Sequence, residues 1–276
     1  MTRAPTGRTG TVRDGTVRDD TGAPVPVPDR VRRVVSLVPS LTETVADAAP
    51  GLLAGATDWC THPADLDVPR VRGTKNPDLE RIAELRPDVV LGNTEENRPA
   101  DVEALRATGV PVWMTEIRTV DEALPSLRRM LTEACRVPAP AWLDEADRVW
   151  ARTAPIWPDG PRAAVIPIWR RPWMVVGRDT FTGDVLARLG VANVYAGHPD
   201  RYPKIPLAEL NAAGAGLAVL PDEPYRFSAD DGPEAFPGLD AALVDGRYLT
   251  WYGPSLVDAP SVLTRQLSAA RRYRAG

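Results

Sequence analysis

This chain has few of the residues and patterns that announce a function. Its 276 residues include two cysteines, Cys60 and Cys135, set far apart, so the fold does not depend on a disulfide framework and reduced thiols are expected. The formal net charge is −4 and charged residues make up 25%; no basic field exists to attract nucleic acid, which is not expected as a partner. No stretch approaches 18 uncharged apolar residues, so membrane insertion is not expected either. The first 33 residues contain no apolar run of seven or more and no cysteine, hence neither a signal-peptide core nor a lipid anchor, and a cytoplasmic protein is the expectation. Walker loops, HExxH, GxSxG and a GxGxxG following a strand are all missing, which deprives the common enzyme classes of their signatures and leaves no catalytic residue assigned.

What is present is an alternation of short apolar runs with helical patterns. Residues 1–29, with PVPVP at 24–28, have the composition of an extended, disordered N-terminal tail. Order is expected from the run Val34-Val35-Ser36-Leu37-Val38, followed by a helix that Ser40 and Glu43 would start as a capping box. LLAGAT, PDVVLGN and VPVWMTE read as strands, with DLERIAEL and ADVEALRATG as the helices between them. Strands separated by helices imply crossover connections and mainly parallel sheets. Residues 30–118 therefore form an α/β lobe. Residues 119–156 read as a helical connector with Trp142, Ala146 and Trp150 on one stripe, and residues 157–276 as a second α/β lobe closed by a helix from about Ser261 to Arg274. Leu79, Ile82, Leu85 and Val89-Val90-Leu91 are echoed at constant offset by Leu207, Leu210, Ala213 and Leu217-Ala218-Val219, which fits two lobes of related build.

Open α/β sheets bind ligands at the carboxyl ends of their strands, so the loops there hold the candidate residues. From the first lobe come Ser40, Trp59, Cys60, His62, Asn93, Glu95, Glu96 and Asn97; from the second, Trp169, Arg170, Trp173, His198, Tyr202, Glu223, Tyr225, Arg226 and Trp251. The aromatics suit a ring-containing ligand. Arg170, Arg171, Arg201, Lys204 and Arg226 form a cationic set that an anionic group would satisfy, with a solvated basic rim as the plainer alternative. Cys60-Thr61-His62 has two readings of its own. With His198 it offers three ligands to a metal ion; as a thiol beside a base it offers a nucleophile, assisted by a carboxylate such as Glu95 or Glu223.

The stretches RVVSLVPSLTETV, LLAGATDWCTHP, TKNPDLERIAELRPDVVLGN, RATGVPVW, GRDTFTGDVLARLGVANVYAG and LPDEPYRF, in this order and spacing, resemble the helical-backbone substrate-binding proteins, the receptors for vitamin B12, ferric siderophores and haem of ABC importers. The resemblance spans Arg33 to Leu256. It implies two Rossmann-like lobes joined by one rigid helix, assigned to Pro140–Ala154, and a non-catalytic protein holding a corrinoid, haem-like or metal-chelate ligand in the cleft. No resident cofactor is implied. It also places His62 as a ring facing the cleft, available as an axial ligand to a bound metal complex. Members dock on their permease through one Glu on each lobe; Glu80 stands at the first position, but Ala208 stands at the second, with Glu209 turned by about 100°. That breaks the docking pair and argues against an ABC permease as partner.

Overall fold

The computed structural model describes residues 16–272, and within them each lobe is built on a four-stranded parallel sheet. In chain order the first lobe runs β1 (Thr16–Arg18), β2 (Pro24–Pro26), β3 (Val34–Ser36), α1 (Pro39–Ala48), β4 (Leu53–Ala56), β5 (Arg72–Gly73), β6 (Asn76–Pro77), α2 (Leu79–Glu84), β7 (Val89–Asn93), α3 (Pro99–Ala107) and β8 (Val112–Thr115). The sheet order is β4-β3-β7-β8, with Val35 opposite Val90 and Val90 opposite Val112. Every residue of β3, β7 and β8 is buried, as parallel strands covered by helices on both faces require. No helix among the described residues is long and apolar enough to cross a membrane.

The second lobe repeats this plan: β9 (Arg162–Val165), β10 (Pro167–Arg170), β11 (Trp173–Val175), α6 (Phe181–Arg188), β12 (Val191–Asn193), α7 (Leu207–Ala212), β13 (Leu217–Pro221), β14 (Asp240–Val244), α8 (Gly246–Thr250) and α9 (Ala259–Ser268). Its sheet order is β12-β9-β13-β14. Numbered within each lobe, both sheets have the order 2-1-3-4. The sequence echo falls on matching elements, α2 leading into β7 and α7 leading into β13, each the third strand of its sheet.

Between the lobes lie α4 (Val120–Arg129), continuing as a π-helical turn over Met130–Ala134, and α5 (Trp142–Trp150). The single joining helix expected over Pro140–Ala154 is thus one member of a packed pair, bridged by Arg128 and Asp144 at 2.6 Å. The start of α4 is tied to α6, where Asp184 accepts from the Val120 N–H at 2.8 Å and Arg188 pairs with Asp121 at 2.8 Å. Its far end is held by the first lobe, with Arg129 over the Trp113 ring. Leu143, Ala146 and Trp150 form the buried stripe of α5, Trp142 being only partly covered, and the Trp150 indole donates to Leu256 O at 2.9 Å.

Two expectations need correction. The disordered tail expected over residues 1–29 does not hold for its second half, because residues 16–26 form the β1–β2 hairpin; residues 1–15 lie outside the described residues. The Pro-Val alternation puts Val25 on one face of β2, where with Val27 it is buried against the first lobe, while the prolines sit where no donor is needed. Asp19 fastens the turn by accepting from Thr21 N and Ala23 N and pairing with Arg106 at 3.0 Å. The capping box is not formed either. Helix α1 starts at Pro39, a residue suited to a first turn, so Ser40 lies inside the helix and Glu43 is released for a contact across the cleft.

Candidate functional site

The cleft between the lobes is bridged at two places. At the first, Glu95 from the loop after β7 meets Arg201 at 2.8 Å and accepts a hydrogen bond from the Tyr202 hydroxyl, both from the loop after β12. The loop that carries Glu95 is pinned from below: Asn93 Oδ1 accepts from Glu95 N at 2.8 Å, and Asn93 N donates to Asn97 Oδ1 at 2.9 Å. Burial pushes the Glu95 carboxyl up, against the opposing pull of Arg201. Asn93 and Asn97 are themselves 1% and 3% exposed and shape the loop from within.

At the second, a cavity of about 300 Å³ is lined by His62 from the first lobe and by Asp222, Glu223, Asp245, Arg247 and Tyr248 from the second. The His62 ring meets Trp251 edge-on, with centroids 5.4 Å apart, and its Nδ1 lies 3.2 Å from Thr61 Oγ1. Trp251 is buried and hydrogen-bonds Glu223. Burial raises the Glu223 carboxyl to about 7, with Asp222 and Asp245 adding to the rise. Arg247 reaches back across the cleft to Glu43 in α1. Beside this pair Tyr252 is buried and bonded to Ser40, and burial raises its hydroxyl well above the usual tyrosine range.

The cationic set read from sequence is dispersed. Arg170 pairs with Asp231 and Glu234 beside Trp173, Arg201 is taken by Glu95, and Arg171, Lys204 and Arg226 are exposed. Trp173 is partly buried and packs on Phe227 and Phe236 at the edge of the second lobe's core. Tyr225 donates to Asp231 at 2.6 Å and packs edge-on against Trp169, which is 41% exposed. Trp59 is 65% exposed.

Neither reading of the Cys60 loop as reactive chemistry fits the geometry. Cys60 is 1% exposed, its Sγ held between Thr42 Oγ1 at 2.9 Å and Thr57 Oγ1 at 3.1 Å, and burial raises its thiol pKa. A nucleophile needs the opposite environment. The three ligands entertained for a metal do not converge: Cys60 is committed to those threonines, His198 Nδ1 accepts from Asp200 N at 3.0 Å, and no group of three or more His, Cys, Asp or Glu among the described residues could hold a metal ion. Of the residues named from sequence, His62, Glu223 and Trp251 meet at the cavity, while Ser40, Glu95 and Tyr202 hold the lobes together.

Asp245, Arg247 and Tyr248 escaped the sequence reading because β14 did. Its DAALV is short and alanine-rich, weak as a strand signal. The sign that could have found it is the Asp-Gly after it: Asp245 caps α8 by accepting from Arg247 N at 3.1 Å.

With this geometry in hand, known proteins offer comparisons. The profile of the family described as "Periplasmic binding protein" matches residues 34–215. The vitamin B12-binding protein of Pectobacterium carotovorum subsp. carotovorum is 25% identical over 252 residues, which cover 86% of this chain and 89% of that protein. Among solved structures, Helicobacter pylori CeuE with Ni(II) bound superposes with a TM-score of 0.77 at 16% identity, over 92% of this chain and 88% of that one. A periplasmic heme-binding protein from Pseudomonas aeruginosa gives a TM-score of 0.72 at 23% identity, over 89% and 96%. At these identities the structural matches speak for the fold, two α/β lobes around a cleft.

Proposed function

The chain belongs to the periplasmic binding protein family, and from that membership and its inter-lobe cavity we propose that it is a non-catalytic binding protein for a corrinoid, haem-like or metal-chelate ligand. The observation that carries this reading is the cavity itself: His62 enters from the first lobe, opposite the loops after β13 and β14. Support for the ligand class comes from relatives described as vitamin B12-binding and heme-binding. At about 300 Å³ the cavity is at the lower end of small-molecule pockets. A macrocycle enters only when the lobes part, so the Glu95–Arg201 and Glu43–Arg247 bridges open as the ligand is admitted. His62 and Trp251 then supply the ring surfaces, and the carboxyls of Asp222, Glu223 and Asp245 supply polar contacts.

A Cys–His enzyme is the weaker reading, because the thiol it needs is buried with a raised pKa. Independence from an ABC permease also belongs to this proposal. Glu80 is exposed on α2, whereas the matching place on α7 is the exposed Ala208. The test of the main reading is native mass spectrometry of protein from its own cells, with absorbance and melting-temperature shifts for cobalamin, haem and ferric siderophores. A copurifying metal complex, or a shift with one class, is the expected result; no ligand and no shift with any class removes the reading.

A further inference from the structure

The lining of the cavity is unbalanced in charge. Three carboxyl groups, from Asp222, Glu223 and Asp245, face it with a single arginine, Arg247, and that arginine is already paired with Glu43. Glu43 is 7% exposed. Its second carboxyl oxygen has no hydrogen-bond partner, and neither has the buried Nε of Arg247. The arrangement is rigid: Asp222 Oδ1 accepts from Gly246 N at 2.7 Å, and α8 presses so closely on Glu223 that a Cβ at position 246 would lie 2.3 Å from its Cγ. Buried polar groups left short of partners are where a ligand's complementary atoms go.

Resting on the binding-protein reading above, we infer that Asp222, Glu223 and Asp245 set the specificity of this cleft. They favour a ligand whose buried face is cationic or edged with N–H donors such as primary amides, and they reject one edged with carboxylates. The physical reason is that a carboxylate brought into this pocket meets like charges in a region of reduced dielectric, while an amide or ammonium N–H finds acceptors. When the bridge to Glu43 opens, Arg247 faces Asp222, Glu223, Asp245 and the freed Glu43, so carboxyl groups still outnumber arginine in the lining. His62 and Tyr248 complete the lining and are compatible with either class. Glu223, held up to about 7 by burial beside Asp222 and Asp245, is ionised above that pH, so the discrimination is strongest in mildly alkaline solution.

The experiment compares two ligands that share a ring. Cobinamide, whose corrin carries amide side chains, and the same corrin with those amides hydrolysed to carboxylates are titrated into the full chain at pH 8, with tryptophan fluorescence as readout; haemin, which carries two carboxylates, is titrated in parallel. The amide form is expected to bind at least about tenfold tighter than the carboxylate form. E223Q, which keeps an acceptor for Trp251, and D222N, which keeps one for Gly246, should each narrow that ratio by about threefold or more. Equal or tighter binding of the carboxylate form, haemin binding without cobinamide binding, or a ratio unmoved in both variants overturns the inference. If neither corrin, haemin nor a ferric siderophore binds, the binding-protein reading fails, and the inference falls with it.

Discussion

Both ends of the cleft are built from carboxylates, an arginine and aromatic rings, yet they reach opposite balances. At the Glu95 end one carboxylate accepts from two donors across the cleft, Arg201 and Tyr202. At the His62 end four carboxyl groups, counting Glu43, share one arginine, and a cavity remains. A complete donor set makes a latch. A surplus of acceptors leaves room and a need for a ligand's donors.

This contrast can be broken at several points. The largest effect is expected for Arg247→Leu, which strands Glu43 as a buried carboxylate and should cost about 3 kcal/mol in urea unfolding, whereas the double change with Glu43→Leu should recover most of it. Replacing Glu95 by Gln removes the charge at the latch, and a loss of roughly 1–2 kcal/mol is expected, with faster ligand association in stopped-flow because the lobes part more readily.

The acidic end also predicts a pH dependence of known sign. Glu223 holds its proton to about 7 when folded but to 4.5 as a free side chain. A carboxyl raised in the folded state contributes stability that is present below about 4.5 and lost as pH rises toward 7. Because the site is partly open to solvent, the loss should be roughly 1–2 kcal/mol, not the full linkage value. Chemical denaturation at pH 5 and pH 8 should show it, and Glu223→Gln should flatten the profile. His62→Ala should have the smallest effect on stability, about 1 kcal/mol for the edge contact with Trp251, but should weaken ligand binding; unchanged affinity would remove His62 from the site.

Much of the fold could be read directly from the chain. Continuous apolar runs such as VVLGN and LAVLP belong to strands buried on both faces, and these became the third strands of the two sheets. The loops at the strands' carboxyl ends followed from that, bringing in His62 and Glu223, while Trp251 arrives at the end of α8. What escaped had weak or misleading local signals. PVPVP reads as a solvated extended segment until the first lobe offers Val25 and Val27 a surface, and DAALV has a single β-branched residue, Val244, which hid Arg247 and Asp245 with it. The loop DWCTH looked reactive because its residue types are scarce, but scarcity says nothing about which side chain turns inward.

By itself, then, the sequence determined the alternation of elements, the parallel sheets and the set of loops that meet at the cleft, because hydrophobic period, turn chemistry and crossover geometry are local properties. Tertiary structure decided which charges are compensated. Glu95 and Arg201 lie 106 residues apart, Glu43 and Arg247 lie 204 apart, and an ion pair or a raised pKa depends on separation and burial, which no local pattern records. Cys60 was sealed between Thr57 of its own loop and Thr42 of α1 by the packing of two segments, and Arg201 was drawn from the expected cationic set into a latch. The same packing left Asp222, Glu223 and Asp245 facing an open space with too few donors.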